Sequence, residues 1–182
     1  MGDPDTARAG LDDPEPAVRG TALGALHRLG ALRHDELRVS FRDSSPLVRR
    51  RAAEVGANYP MVSLIELLDD ADATVVEVAA WSAGEHETVN DDVLHRLITL
   101  ASAHDDALVR EASVAALGAI GDERGLPAIL AGCADKPAVR RRAVLALAPF
   151  DGAAVDAALD VALTDRDWQV RQAAEDLTRE AN

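Results

Sequence analysis

The sequence predicts an all-α solenoid of about six helical hairpins, and three observations predict it. The dipeptide Val-Arg recurs at Val18, Val48, Val109, Val139 and Val170, with a degenerate copy at Val75 where Val76 replaces the arginine. These anchors lie 30, 27, 34, 30 and 31 residues apart, a spacing that marks stacked structural repeats. Small or apolar residues return four and seven positions after each anchor, as at Ala22, Ala52, Ala79, Ser113, Ala143 and Ala174, and those steps trace one face of a helix. Composition agrees: hydrophobic residues make up 48% of the chain but aromatics only 3%, so Ala, Leu and Val must fill a core of closely packed helices.

Each anchor therefore opens a second helix, and the starts of these helices are written nearby. Pro16, Pro46 and Pro137 stand two residues before their anchors, in the first turn, where a missing N–H leaves no bond unmade. Ser45, Asp72, Asp106 and Asp167 stand one step earlier as candidate N-caps, with Glu15 and Lys136 poorer ones. The first helices are expected in apolar stretches ahead of the caps: MVSLIELL, VLHRLITLA, LPAILAGCA and VDAALDVAL. The whole chain, residues 1–182, is then one repeat domain with approximate units 3–30, 31–59, 60–86, 87–120, 121–150 and 151–182. In the last unit Glu175 takes a position that is apolar in the other five, and EDLTREAN turns polar, as a terminal capping helix requires.

The phrase Asp-x-x-Pro-x-Val-Arg-x-x-Ala-x-x-x-Leu-Gly, followed by Ile-Gly-Asp-Glu-Arg, resembles the short HEAT-like repeats of the phycobilisome-lyase type. The stretch LVREASVAALGAIGDERGLPAIL (Leu108 to Leu130) carries the resemblance best, and nearly the whole chain follows it in six units. The resemblance implies a right-handed superhelix and says little about function, since such repeats serve as binding scaffolds, as lyase subunits and occasionally as enzymes. It also implies that the first arginine after each anchor (Arg19, Arg49, Arg110, Arg140 and Arg171) is structural, pairing with turn aspartates such as Asp13, Asp43, Asp70 and Asp165 in a ladder between repeats. A guanidinium suits that work because its planar fork bonds two acceptors at once. The ladder should break at the third repeat, which has Val76 in place of the arginine and a long passage, AGEHETVNDDV, into the fourth.

In this family the second, third and sixth residues after the anchor face a concave groove. Those positions hold Arg50, Arg51 and Glu54, then Glu77 and Trp81, then Glu111, then Arg141 and Arg142, and these are the candidate partner-binding residues. Trp81 beside Ala112 and Ala115, flanked by arginines, has the makings of an interaction hot spot.

Other chemistries are poorly supported. A di-iron centre of the deoxyhypusine hydroxylase type needs several converging His-Glu pairs, and the chain has one, His86-Glu87. A DNA glycosylase on this scaffold needs a basic cradle, which a formal charge of −13 opposes, as it opposes anionic membranes. Cys133 is alone and reads as a buried thiol, and His27, His34, His95 and His104 lack metal-ligand spacing. No catalytic, cofactor-binding or metal-binding residue is expected. The expectation is a cytoplasmic, monomeric scaffold that binds another protein in its groove, without nucleic acid or membrane. The alternative is a lyase-type subunit that binds a tetrapyrrole or another small ligand.

Overall fold

The computed structural model describes residues 3–180. Among them twelve α-helices follow in order: α1 (Pro4–Ala9), α2 (Pro16–Arg28), α3 (His34–Ser40), α4 (Pro46–Gly56), α5 (Ile65–Leu68), α6 (Ala73–Gly84), α7 (Asp91–Ala103), α8 (Ala107–Ile120), α9 (Leu126–Gly132), α10 (Pro137–Ala146), α11 (Ala153–Ala162) and α12 (Trp168–Glu180). They pair into six hairpins. The even-numbered helices lie side by side from α2 to α12, and from α5 onward the odd-numbered helices form a second row behind them. No helix among the described residues is long and apolar enough to cross a membrane.

The even helices begin where the anchors place them. Pro16, Pro46 and Pro137 occupy the first helical position, and Asp72, Asp106 and Asp167 each accept a backbone N–H two residues on. Ser45 differs from its expected role: its side chain makes no cap bond, and its own N–H instead donates to Asp43 Oδ1 at 2.8 Å. The third hairpin differs too, because only the last half of MVSLIELL is helical. Pro60 sits second in a turn closed by Val62 N–H donating to Tyr59 O, so helix cannot start until Ile65. Val62 and Leu64 are buried all the same, so the stretch fills the core without being helix. The final two residues of EDLTREAN lie outside the described residues.

One continuous core runs from Leu23 to Val155, made of Leu, Val and Ala with Ile129, and with the ring of Phe41 near one end and that of Phe150 near the other. Small residues let the even helices approach closely. A Cβ on Gly118 of α8 would stand 2.7 Å from Ala146 Cα of α10, and one on Gly84 of α6 would stand 2.9 Å from Ala116 Cα of α8. On α2 the open space at Gly24 is taken by something else, the guanidinium of Arg51 from α4.

Between hairpins runs a ladder of arginines. Arg19 donates through Nε and Nη2 to both carboxylate oxygens of Asp43, at 2.7 and 2.6 Å. Arg49 grips Asp70 the same way, and Arg140 grips Asp165. In each case Nη1 turns back to a carbonyl of the arginine's own turn, at Asp13, Asp43 and Asp135 respectively. Three departures from expectation appear. Asp13 contributes that carbonyl, while its carboxylate accepts Glu15 N–H and no arginine side chain. Arg110 takes Asp135, an aspartate that the motif places four instead of five residues before its anchor. Arg171, among the described residues, keeps only the inward bond, to Asp165 O at 2.7 Å. At the third repeat both halves of the rung are missing. Val76 is buried, and the turn position that would carry the aspartate is His104, whose Nδ1 accepts Asp106 N–H.

Hydrogen bonds from the arginines hold Asp43, Asp70, Asp135 and Asp165 below the ordinary carboxylate value of 3.8. The stability they add is therefore present above that value and is lost as pH falls through the depressed ones. Arg110→Ala should destabilise the protein by about 1–3 kcal/mol in denaturant melts, while Arg179→Ala, at an exposed pair, costs about 0.5 kcal/mol or less. The wild type should also lose more melting temperature between about pH 5 and about pH 3 than Arg110→Ala does, because the variant has one depressed carboxylate fewer. Equal losses would show that the rung adds nothing. The glycines give a second contrast. Gly118→Ala forces α8 and α10 apart at a cost of about 1–3 kcal/mol. Gly24→Ala meets only the far end of a flexible side chain, so the same melts should find it neutral or stabilised by up to about 1 kcal/mol through helix propensity.

Candidate functional site

The even helices present one face, and three depressions run along it. Between α2 and α4, Gly20, Thr21 and Leu47 line a cavity of about 410 Å³ together with Arg28, Arg50, Arg51 and Glu54. Between α6 and α8, reaching toward α10, lies one of about 490 Å³ lined by Glu77, Trp81, Leu108, Glu111 and Arg142 over a floor of alanines. Between α10 and α12 a third of about 230 Å³ holds Arg141, Leu145, Trp168 and Gln172. All eight candidate groove residues thus stand in these depressions, three in the first, four in the second and Arg141 in the last.

Their chemistry is not uniform. Arg51 lies against Gly24 and bonds Glu54 at 2.6 Å, so its charge is already paired on its own helix. Arg142 leans toward Glu111 at 3.7 Å. Arg50 and Arg141 are exposed and make no ion pair among the described residues, so these two guanidiniums point into the groove uncommitted. Trp81 is 49% exposed, and the floor that α8 gives the cavity beside it is built of small residues, Ala112, Ala115, Ala116 and Ala119.

Other residues on this face escaped the sequence pattern. Leu47 and Leu108 are more than half exposed, and Trp168 more so. The two leucines precede their anchors by one residue, and Trp168 occupies the place that proline holds in other repeats, so a search at positions after the anchor misses all three. A large apolar residue one or two positions before an anchor is the signal that finds them.

Elsewhere the reactive side chains are occupied. His86 is buried with Nε2 at 3.0 Å from Gly56 O, and the rings of His27 and His34 each meet Tyr59 edge-on at 5.7 Å. No group of three or more His, Cys, Asp or Glu side chains that could hold a metal ion occurs among the described residues. Cys133, at the C-terminal end of α9, packs against the core, and burial pushes its thiol up to about 11. Little thiolate then exists near pH 8, so alkylation by iodoacetamide should be slow in the native protein and should accelerate to the rate of a free thiol in denaturant. Fast native alkylation would contradict this burial.

Comparison with known proteins bears on the fold. Residues 61–148 match the family described as HEAT repeats, a span covering the third, fourth and fifth hairpins. No curated protein matches the sequence. Among solved structures, the complex of CpcE and CpcF of phycocyanin lyase from Nostoc sp. aligns with a TM-score of 0.69 at 22% identity, covering 96% of this chain and 75% of that one. A designed armadillo repeat protein in complex with the peptide (KR)4 aligns at 0.66 and 17% identity over 98% and 99% of the two chains. YibA of Escherichia coli aligns at 0.66 and 20% identity over 87% of this chain, which spans 62% of YibA's length. At these identities the likeness is one of architecture. The chain is an all-α helical-repeat solenoid, and residues 61–148 of it are similar to HEAT repeats.

Proposed function

We propose that this protein is a non-catalytic scaffold that binds a segment of another protein along the face of its even helices. One observation carries the reading. The large apolar side chains Leu47, Trp81, Leu108 and Trp168 are all left exposed on this one face, interleaved with the uncommitted guanidiniums of Arg50 and Arg141. Isolated exposed apolar residues need no explanation, but a row of them with free charges between is what a partner surface covers. Arg50 near one end and Arg141 near the other favour a segment that offers carboxylates and apolar groups, and Trp81 between them is its natural anchor. The chain's formal charge of −13 disfavours nucleic acid. The likeness to a lyase complex is one of fold and adds no pocket chemistry for a tetrapyrrole.

The test compares partner capture by the wild type, Trp81→Ala and the double variant Arg50→Glu/Arg141→Glu, after equal melting temperatures have been confirmed. All three substitutions lie outside the core, so folding should survive. Trp81→Ala should weaken capture by about 30-fold, corresponding to a hot spot of about 2 kcal/mol, and the charge reversals should weaken it further. Equal capture of the same proteins by all three would place binding elsewhere.

A further inference from the structure

The slot between α6 and α8 differs in sign from the arginine-bearing stretches beside it. Trp81 forms one wall, Leu108 stands across from it, and the floor is a stripe of alanines that leaves about 490 Å³ open. Three carboxylates stand at this slot, those of Glu77, Glu85 and Glu111. Glu111 faces Arg142, whereas Glu77 and Glu85 have no ion-pair partner among the described residues, and Glu77 is already half-buried.

That inventory selects the occupant. An apolar group seated beside Trp81 would strip water from the Glu77 carboxylate and return nothing to it, a penalty that grows as the slot closes. An anionic group would be repelled by the same carboxylates. A cationic side chain meets both demands, since its charge pairs with Glu77 and Glu85 while its stem or its planar head lies on the exposed indole. The overall charge of −13 draws such a group in at long range. We propose that this slot is a recognition pocket for an arginine or lysine side chain carried by the bound segment of the partner protein. The assignment rests on the docking face described above and adds a basic residue to the acidic and apolar ones expected at Arg50 and Arg141.

The chain has two tryptophans, so Trp168→Phe leaves Trp81 as the only indole reporter. This variant is titrated with a blocked heptapeptide of Ala and Leu bearing one central arginine, and with versions carrying citrulline or glutamate instead. The arginine peptide should shift Trp81 emission saturably, and the citrulline peptide, equal in shape but uncharged, should bind at least about tenfold more weakly. Adding Glu77→Gln/Glu85→Gln should erase that difference at an unchanged melting temperature. The citrulline comparison uses the unaltered carboxylates, so it stands even if the double variant folds poorly. Equal binding of the arginine and citrulline peptides overturns the assignment, as does an arginine preference that survives neutralisation, or no response to any peptide at millimolar concentration. If the glutamate peptide binds best and Arg50→Glu abolishes it, the docking face stands and this pocket falls. If partner capture is indifferent to Trp81, the docking face itself has failed.

Discussion

At four of the five joints one guanidinium, shared between two turns, sets how a hairpin sits on the next. In Arg19, Arg49, Arg110 and Arg140 two donors close on the aspartate of the following turn and the third returns to a carbonyl of their own turn. A planar fork held at both ends fixes orientation as well as distance, which a lysine ammonium could not do. Because the arginine leaves from the first turn of an even helix, the ladder aligns the starts of those helices. Further along them, the small residues at Gly84–Ala116 and Gly118–Ala146 allow close approach. Apolar burial supplies the driving force for stacking, and the ladder selects the geometry in which that burial occurs.

The missing rung shows how the two sides of this interaction depend on each other. Where the other turns carry the paired aspartate the facing turn carries His104, and Val76 fills the buried place that an arginine holds in other repeats. His104 still accepts the local N–H that an aspartate accepts in other turns, so the turn keeps its shape without the charge. The same joint is tethered from the odd-numbered side. Arg96 of α7 reaches back to Asp69 at 2.8 Å and to Leu68 O, just past α5. The Trp81 slot opens between the two even helices of this joint, so the least regular repeat also holds the largest apolar ring exposed in the middle of the face.

The periodic features were legible in the sequence and the aperiodic ones were not. Anchors, helix starts and ladder arginines recur five or six times, and recurrence separates signal from chance. Asp135 lies one residue out of register, with one residue instead of two between it and the start of its helix, so a fixed offset passes over it while the fold still brings it to Arg110. The short α5 was hidden in an apolar run whose burial is real but whose backbone begins with a proline turn. Arg51 and Arg50 are neighbours with the same side chain, yet one lies over Gly24 and the other is free. Only the identity of the facing residue on α2 separates them, and that contact is not local in sequence.

The central claim is that ladder pairs couple neighbouring repeats while groove pairs do not, and a double-mutant cycle measures this directly. Arg110→Ala, Asp135→Ala and the double variant are melted in denaturant beside the matching set for Arg142 and Glu111. The account predicts a coupling of about 1 kcal/mol or more within the ladder pair and about 0–0.3 kcal/mol for Arg142 with Glu111. Equal couplings, or a ladder pair with none, would contradict it.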